Sequence, residues 1–332
     1  MESSIIEEAK KKYSISERIR MAEQDENDAR KRKSALEITK ARNMQTMLKK
    51  RLEHFKKIAK LATITGKVPS DDKTLIIVGG QSGAGKSRLV KLAQKDLMQN
   101  GVIVDFDELR SYHPDYEMAS AEYPESTHAI LHEDTEYVKN KILKDLIKEK
   151  YNVIYEGALR NTQGFLDFAQ DFRDNDYNIK MMLMAVPALE SYGSTFIRYV
   201  IALQTDKIPR WVEKYAHDGS YEGVLRTVQS FKDQNLVDSI GVYVRSKEEP
   251  QKIYETQEHQ FSDAIEAIKY GRESGREQAV QDYQEKYDVV TTILKSRQPE
   301  MVEKLSDWKQ LYENEKRELS EKQQNGMTID ED

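Results

Sequence analysis

The sequence predicts an α/β fold: a parallel sheet covered by helices on both faces, with helical extensions at the N- and C-terminal ends. Three observations predict it. Short apolar, β-branched runs recur through the middle of the chain, at Thr74–Val78, Gly101–Phe106, Asn152–Tyr155, Ile179–Val186 and Ile240–Val244. Helix-patterned stretches separate them, at about 86–100, 128–150, 163–175, 188–205 and 220–235. Strand and helix alternating at this interval is the pattern of a sheet buried on both sides. Third, both ends of the chain are charged and helical in pattern, and neither carries a strand-like run.

The 332 residues suit one α/β domain with additions. About a third of them are charged, and no apolar run approaches the roughly 20 residues that cross a bilayer. The N-terminus lacks the apolar core of a secretory signal. Zero cysteines exclude disulfides and thiolate metal sites, and the expected location is the cytoplasm. Residues 1–70 hold 18 Lys/Arg against 10 Asp/Glu, and the rest hold 34 against 48. The expected division is a basic helical arm over 1–70, a core over 71–248, a helical extension over 249–321 and a disordered tail over 322–332.

The arm has no proline before Pro69, and Gly66 is its only glycine. Ser14 followed by Glu17 predicts a helix start, with Ser14 as N-cap. Leu36, Met44, Met47, Leu48, Leu52, Phe55, Ile58 and Leu61 predict one apolar helix face. The arm's charge suits docking on the acidic body or on an acidic partner, or simply a solvated face. Its few aromatics, Tyr13 and Phe55, argue against base stacking on nucleic acid.

The chemistry is read from Gly80-Gln81-Ser82-Gly83-Ala84-Gly85-Lys86-Ser87. This is the P-loop pattern, lying between a strand and a helix as it should. Glycines let successive N–H groups point at phosphate oxygens, and the helix start adds partial positive charge. Lys86 would reach the β- and γ-phosphates, and the Ser87 hydroxyl would ligate Mg²⁺. ATP or GTP with Mg²⁺ is therefore the expected cofactor set, in a P-loop kinase-like core.

Later segments separate a kinase from a motor or a switch. Asp105 and Asp107 end the second strand, where an acid can take a proton from a substrate hydroxyl or, equally, cap the next helix. Arg198 and Arg210 follow the fourth strand. Arginines there can cover a γ-phosphate, although a helical arginine is more often a surface residue. His128, His132 and Glu133 lack a third ligand at defined spacing and read as helix surface.

Taken in order, these segments resemble the zeta-toxin family of bacterial toxin–antitoxin systems, including its PezT-type members. The likeness is carried by the P-loop, by Asp107 with His113-Pro114, and by Tyr151–Arg160. It continues through Met184–Pro187, Ser191-Tyr192, Arg198-Tyr199, and Arg210 with His217-Asp218. It spans roughly residues 73–246. The resemblance implies a kinase acting on the 3′-hydroxyl of UDP-N-acetylglucosamine, which poisons cell-wall precursor synthesis. It further implies Asp107 as base, Lys86 on the phosphates, Arg198 and Arg210 on the moving phosphoryl group, and Glu156 and Arg160 along the sugar nucleotide. Ala158 and Asn140 depart from the family pattern at two acceptor positions. The implied partner is a small helical antitoxin in trans, with the arm as an alternative inhibitor in cis. A different small-molecule phosphotransferase and a nucleotide-gated interaction protein are the rival functions.

Overall fold

The computed structural model describes residues 2–124, 126–205, 209–256 and 261–327. The sheet has six strands: β1 (Thr74–Gly79), β2 (Gly101–Val104), β3 (Asn152–Gly157), β4 (Asn178–Met184), β5 (Ser239–Val244) and β6 (Gln251–Glu255). Their order is β2-β3-β1-β4-β5-β6. β1 pairs with β4, and β4 with β5, in parallel; β6 closes the edge antiparallel to β5, with a register shift at Val242/Tyr243. The expected α/β architecture is thus present, with one correction. Residues 251–255 are a strand, not part of a helical extension. Only Tyr254 of β6 is buried, so this edge strand reads as charged surface.

The chain forms two compact units, Met1–Asp71 with Asn100–Val153, and Asp72–Gln99 with Ile154–Asp332. In the first, the arm is three helices: α1 (Glu2–Tyr13), α2 (Ile15–Lys31) and α3 (Ala35–Ile64). Ser14 caps α2 as expected, its hydroxyl accepting from the Glu17 N–H at 3.2 Å. The buried stripe of α3 is Ala41, Leu48, Leu52, Phe55 and Ala59. Leu36, Met44, Met47, Ile58 and Leu61 are exposed, so the buried face is narrower than the apolar pattern predicts. At 100° per residue these five fall off the stripe that alanines complete.

The arm meets α6 (Tyr116–Glu122), α7 (Thr127–Ile130) and α8 (His132–Lys148), and α5 (Phe106–Ser111) packs on α8. Asp134 on α8 is fully buried and closes the N-terminus of α2. It accepts from the Ile15 N–H at 2.6 Å, the Ser16 N–H at 2.8 Å, the Ser16 hydroxyl and His113 Nε2 at 3.2 Å. Desolvation raises its pKa, but these donors outweigh it and hold the carboxyl below its usual range. Arm cations meet carboxylates of this unit: Arg51 with Asp115 at 2.6 Å, Arg20 with Glu133 at 2.5 Å, and Lys60 with Glu149 at 2.6 Å.

In the second unit, α4 (Lys86–Asp96) follows the P-loop, α9 (Thr162–Arg173) follows β3, and α10 (Ala188–Gln204) and α11 (Lys214–Asp233) follow β4. Met181, Met182 and Met184 are buried strand, as expected of that run. The C-terminal helices are α12 (Ala264–Ser274), α13 (Arg276–Gln281), α14 (Tyr283–Arg297) and α15 (Ser306–Met327). The last three pack on α10: Tyr192, Phe196 and Tyr199 meet Tyr283, Leu294 and Trp308. Gly193 admits Trp308, for a Cβ there would lie 2.4 Å from the indole ring. Of the tail expected to be disordered, residues up to Met327 are helical, and 328–332 lie outside the described residues.

Candidate active site

The P-loop leaves the carboxyl end of β1, where ligands of parallel sheets bind. Gly80 (φ 151°), Gly83 (φ 75°) and Gly85 (φ 94°) take positive φ, the backbone an anion nest requires. At Gly83 the need is also steric, since a Cβ would sit 1.9 Å from the Ser191 carbonyl oxygen. The Lys86 ammonium donates to the Gln81 carbonyl at 3.2 Å and lies 3.9 Å from a Glu156 oxygen. Glu156 comes from β3, so the structure brings together the lysine of one strand end and the carboxylate of the next. Ser87 is exposed at the first turn of α4. The nest, the lysine and the hydroxyl fit a Mg²⁺-bound nucleoside polyphosphate.

The loop is clamped from behind. Gln81 is fully buried, and its Nε2 donates to the Val186 carbonyl at 2.8 Å and to the Ser191 hydroxyl at 3.1 Å. Ser191 Oγ lies 2.9 Å from His217 Nε2, and His217 Nδ1 lies 3.3 Å from Asp218. Burial lowers the His217 pKa to about 4, against the opposing pull of Asp218, so the ring is neutral. The Ser191 hydroxyl has one proton and two acceptors at 2.9 Å, His217 Nε2 and the Pro187 carbonyl oxygen, so it serves one of them at a time. Arg245, just beyond β5, donates to the Gly83 carbonyl, to Glu190 at 2.7 Å and to Ser194 at 3.0 Å. A cavity of about 270 Å³ opens beside it, lined by Gly85, Ser87, Arg88, Met184 and Arg245.

Neither Arg245 nor the Ser191–His217 link stands out in the sequence. Arg245 had a signal in its place at a strand's carboxyl end. His217 had only its part in the resemblance.

Glu156 is followed by Leu159, a buried residue at φ 51° whose carbonyl accepts from Thr227 at 3.0 Å. That turn projects Arg160 outward, 5.8 Å from the Tyr215 ring centre on α11. Arg198 keeps accessible surface on α10, yet desolvation by surrounding protein lowers its pKa while Glu156 pulls it up. Glu156 therefore acts electrostatically on Arg198 and lies near Lys86. Arg210 is exposed in the loop before α11.

Asp107 and Asn140 belong to the first unit. Asp105 caps α5, accepting from the Asp107 N–H at 2.8 Å, so the capping role left open for Asp107 falls to its neighbour. The Asp107 carboxylate is half-exposed and takes a hydrogen bond of 3.0 Å from buried Arg110. Asn140 is exposed on α8, and Glu136, one turn earlier, pairs with His132 at 3.2 Å and Lys139 at 3.3 Å.

The zeta toxin family model matches residues 58–259. Toxin PezT of Streptococcus pneumoniae serotype 4 is 28% identical over 216 residues, 62% of this chain and 81% of that toxin. Toxin zeta of Streptococcus agalactiae is 27% identical over 176 residues, 53% of this chain and 61% of that toxin, so the match spans less than two thirds of it. A solved structure from the PezAT chromosomal toxin-antitoxin system of S. pneumoniae shares the fold, with a TM-score of 0.64 and 23% identity, covering 73% of this chain and 96% of that one. A family match over more than half the chain, taking in the formed phosphate cradle, assigns the chain to the zeta toxin family.

Proposed function

We propose that the chain is a toxin kinase that transfers the γ-phosphoryl group of ATP or GTP to a hydroxyl of a sugar nucleotide, the 3′-hydroxyl of UDP-N-acetylglucosamine being the acceptor the family resemblance implies. The observation that carries the reading is the cradle of Gly80–Ser87 with Lys86 drawn toward Glu156. A lysine and inward N–H groups stabilise charge on a transferring phosphoryl group, which is most of what such catalysis requires. The Ser87 hydroxyl would hold Mg²⁺, which neutralises phosphate charge when bound. On the resemblance, Asp107 takes the proton of the acceptor hydroxyl as its oxygen bonds to the γ-phosphorus. The bond to the β-phosphate oxygen breaks, leaving a phosphomonoester and the nucleoside diphosphate. On the same reading Arg198 and Arg210 would offset the charge in transfer, and Glu156, Arg160 and Asn140 would bind the acceptor.

The solved relative comes from a toxin-antitoxin system, and a helical antitoxin in trans is the partner this suggests. The cis alternative is less favoured. The arm's apolar stripe is already buried within the first unit, against α2 and α8, and Arg51, Arg20 and Lys60 pair with carboxylates there.

Incubation with ATP, Mg²⁺ and UDP-N-acetylglucosamine, read by mass spectrometry, tests the reading. One added phosphate supports it. Hydrolysis or nucleotide binding without a phosphorylated sugar refutes the acceptor assignment and favours a nucleotide-gated interaction protein.

A further inference from the structure

Where α12, α13 and α15 meet α11 and the start of α10, the second unit holds a cavity of about 370 Å³. Two arginines line it and differ in how their charge is answered. Arg276 is saturated: it meets Glu315 at 2.5 Å, Glu318 at 2.6 Å and Glu273 at 3.2 Å. Arg272 is only 6% exposed, and among the described residues no carboxylate reaches ion-pairing distance of it. Its Nη2 donates to the Tyr221 carbonyl at 2.6 Å, and its guanidinium lies 3.7 Å from the Tyr221 ring centre. Its Nε–H meets no acceptor. Burial lowers its pKa, and only Tyr221 pulls the other way.

A buried cation without a counter-ion is costly, and cation–π contact recovers only part of that cost. Three glutamates line the same cavity, yet none is turned to Arg272. Glu315 and Glu318 are held by Arg276, and Glu273 is also taken by Lys322 at 2.6 Å. Lys269 adds an exposed ammonium to the lining. We propose that this cavity is an anion site, taking a small molecule through a phosphate or carboxylate group, with Arg272 as its principal partner and Lys269 as its second. Arg272 and Lys269 lie beyond the residues the family model matches, and the site does not rest on the kinase reading. It is one ring away from the P-loop clamp, since Tyr221 stacks on His217 at 6.2 Å.

The test is thermal unfolding of the full chain and of Lys86→Ala, titrated with sodium phosphate, sodium acetate or sodium chloride at matched ionic strength. Phosphate or acetate is expected to give a saturable rise in the midpoint that chloride does not. The rise should survive Lys86→Ala, which sets it apart from anion binding at the P-loop, and vanish in Arg272→Met. Which anion acts identifies the group recognised. Absence of a saturable rise in Lys86→Ala overturns the proposal, as does a rise that persists in Arg272→Met. Should Arg272→Met not fold, Lys269→Glu decides. This surface change should shift the titration to higher anion concentration, and an unchanged titration overturns the assignment.

Discussion

The side-chain amide of Gln81 donates to the hydroxyl of Ser191 at 3.1 Å, tying the second residue of the P-loop to the first turns of α10. Ser191→Ala removes that acceptor from a fully buried place and leaves His217 Nε2 without its neighbour. An orphaned buried donor costs about 1–3 kcal/mol. Urea unfolding should show a loss of that order, and Mg²⁺–ATP titration should show weaker binding. Unchanged binding would mean that the cradle holds its shape without the clamp.

His217 predicts a pH dependence. Its pKa is lowered to about 4 by burial, below the ordinary 6.5. Between those values the unfolded chain binds a proton that the folded chain refuses, so stability falls as pH drops from 6.5 toward 4. The loss is on the order of 3 kcal/mol. His217→Gln should flatten that part of the stability–pH curve. A slope equally steep in the variant would assign the effect to other groups.

Two glycines with nearly equal φ separate strain from clash. At Gly66 (φ 73°) nothing stands within 4 Å of the place a Cβ would take, and Gly66→Ala should lose only the about 1–2 kcal/mol of the left-handed backbone. Gly83→Ala faces the same strain plus the Ser191 carbonyl at 1.9 Å. Its nucleotide affinity should fall by about a hundredfold or more, equivalent to ~3 kcal/mol. Calorimetric titration of the two variants with Mg²⁺–ATP makes the comparison.

Asp107→Ala tests the base. Loss of general-base catalysis lowers turnover by about 10²–10⁴-fold. Nucleotide binding should stay near wild type, because the cradle belongs to the other unit. A variant that transfers phosphate at the parental rate would remove Asp107 from the mechanism.

Asp134→Ala tests the arm's anchor. It leaves the Ile15 and Ser16 N–H groups and buried His113 without their acceptor, and losses of about 3–5 kcal/mol accompany the breaking of such buried charged contacts. Hydrogen exchange should show α1 and α2 opening first. Protection equal to wild type in Ile15 and Ser16 would show that other contacts hold the arm.

What the sequence discloses is local or periodic. The P-loop is contiguous and its residue types are dictated by phosphate chemistry, so the sequence alone locates it. Strands such as Leu75–Val78 are buried on both faces and read as apolar runs. β6 gives no such signal, because an edge strand shows solvent its charged side chains. The face of α3 is hard to delimit because its stripe is completed by Ala41 and Ala59, which carry little hydrophobic signal, while five larger apolar residues lie off it. Arg245 touches Gly83 across 162 residues of chain, and Ser191 meets His217 across 26. Such pairings are made by the sheet's crossovers and leave no trace in spacing.

The interleaving of the two units bears on how the protein comes off a ribosome. Residues 72–99, strand and cradle together, are threaded through the middle of the first unit's sequence. A nascent chain ending before residue 100 has made its P-loop, yet lacks both β4 to flank β1 and Ser191 to back Gly83. Truncation at that point should leave an unformed loop, and a phosphate-binding cradle should arise only after synthesis has passed α10.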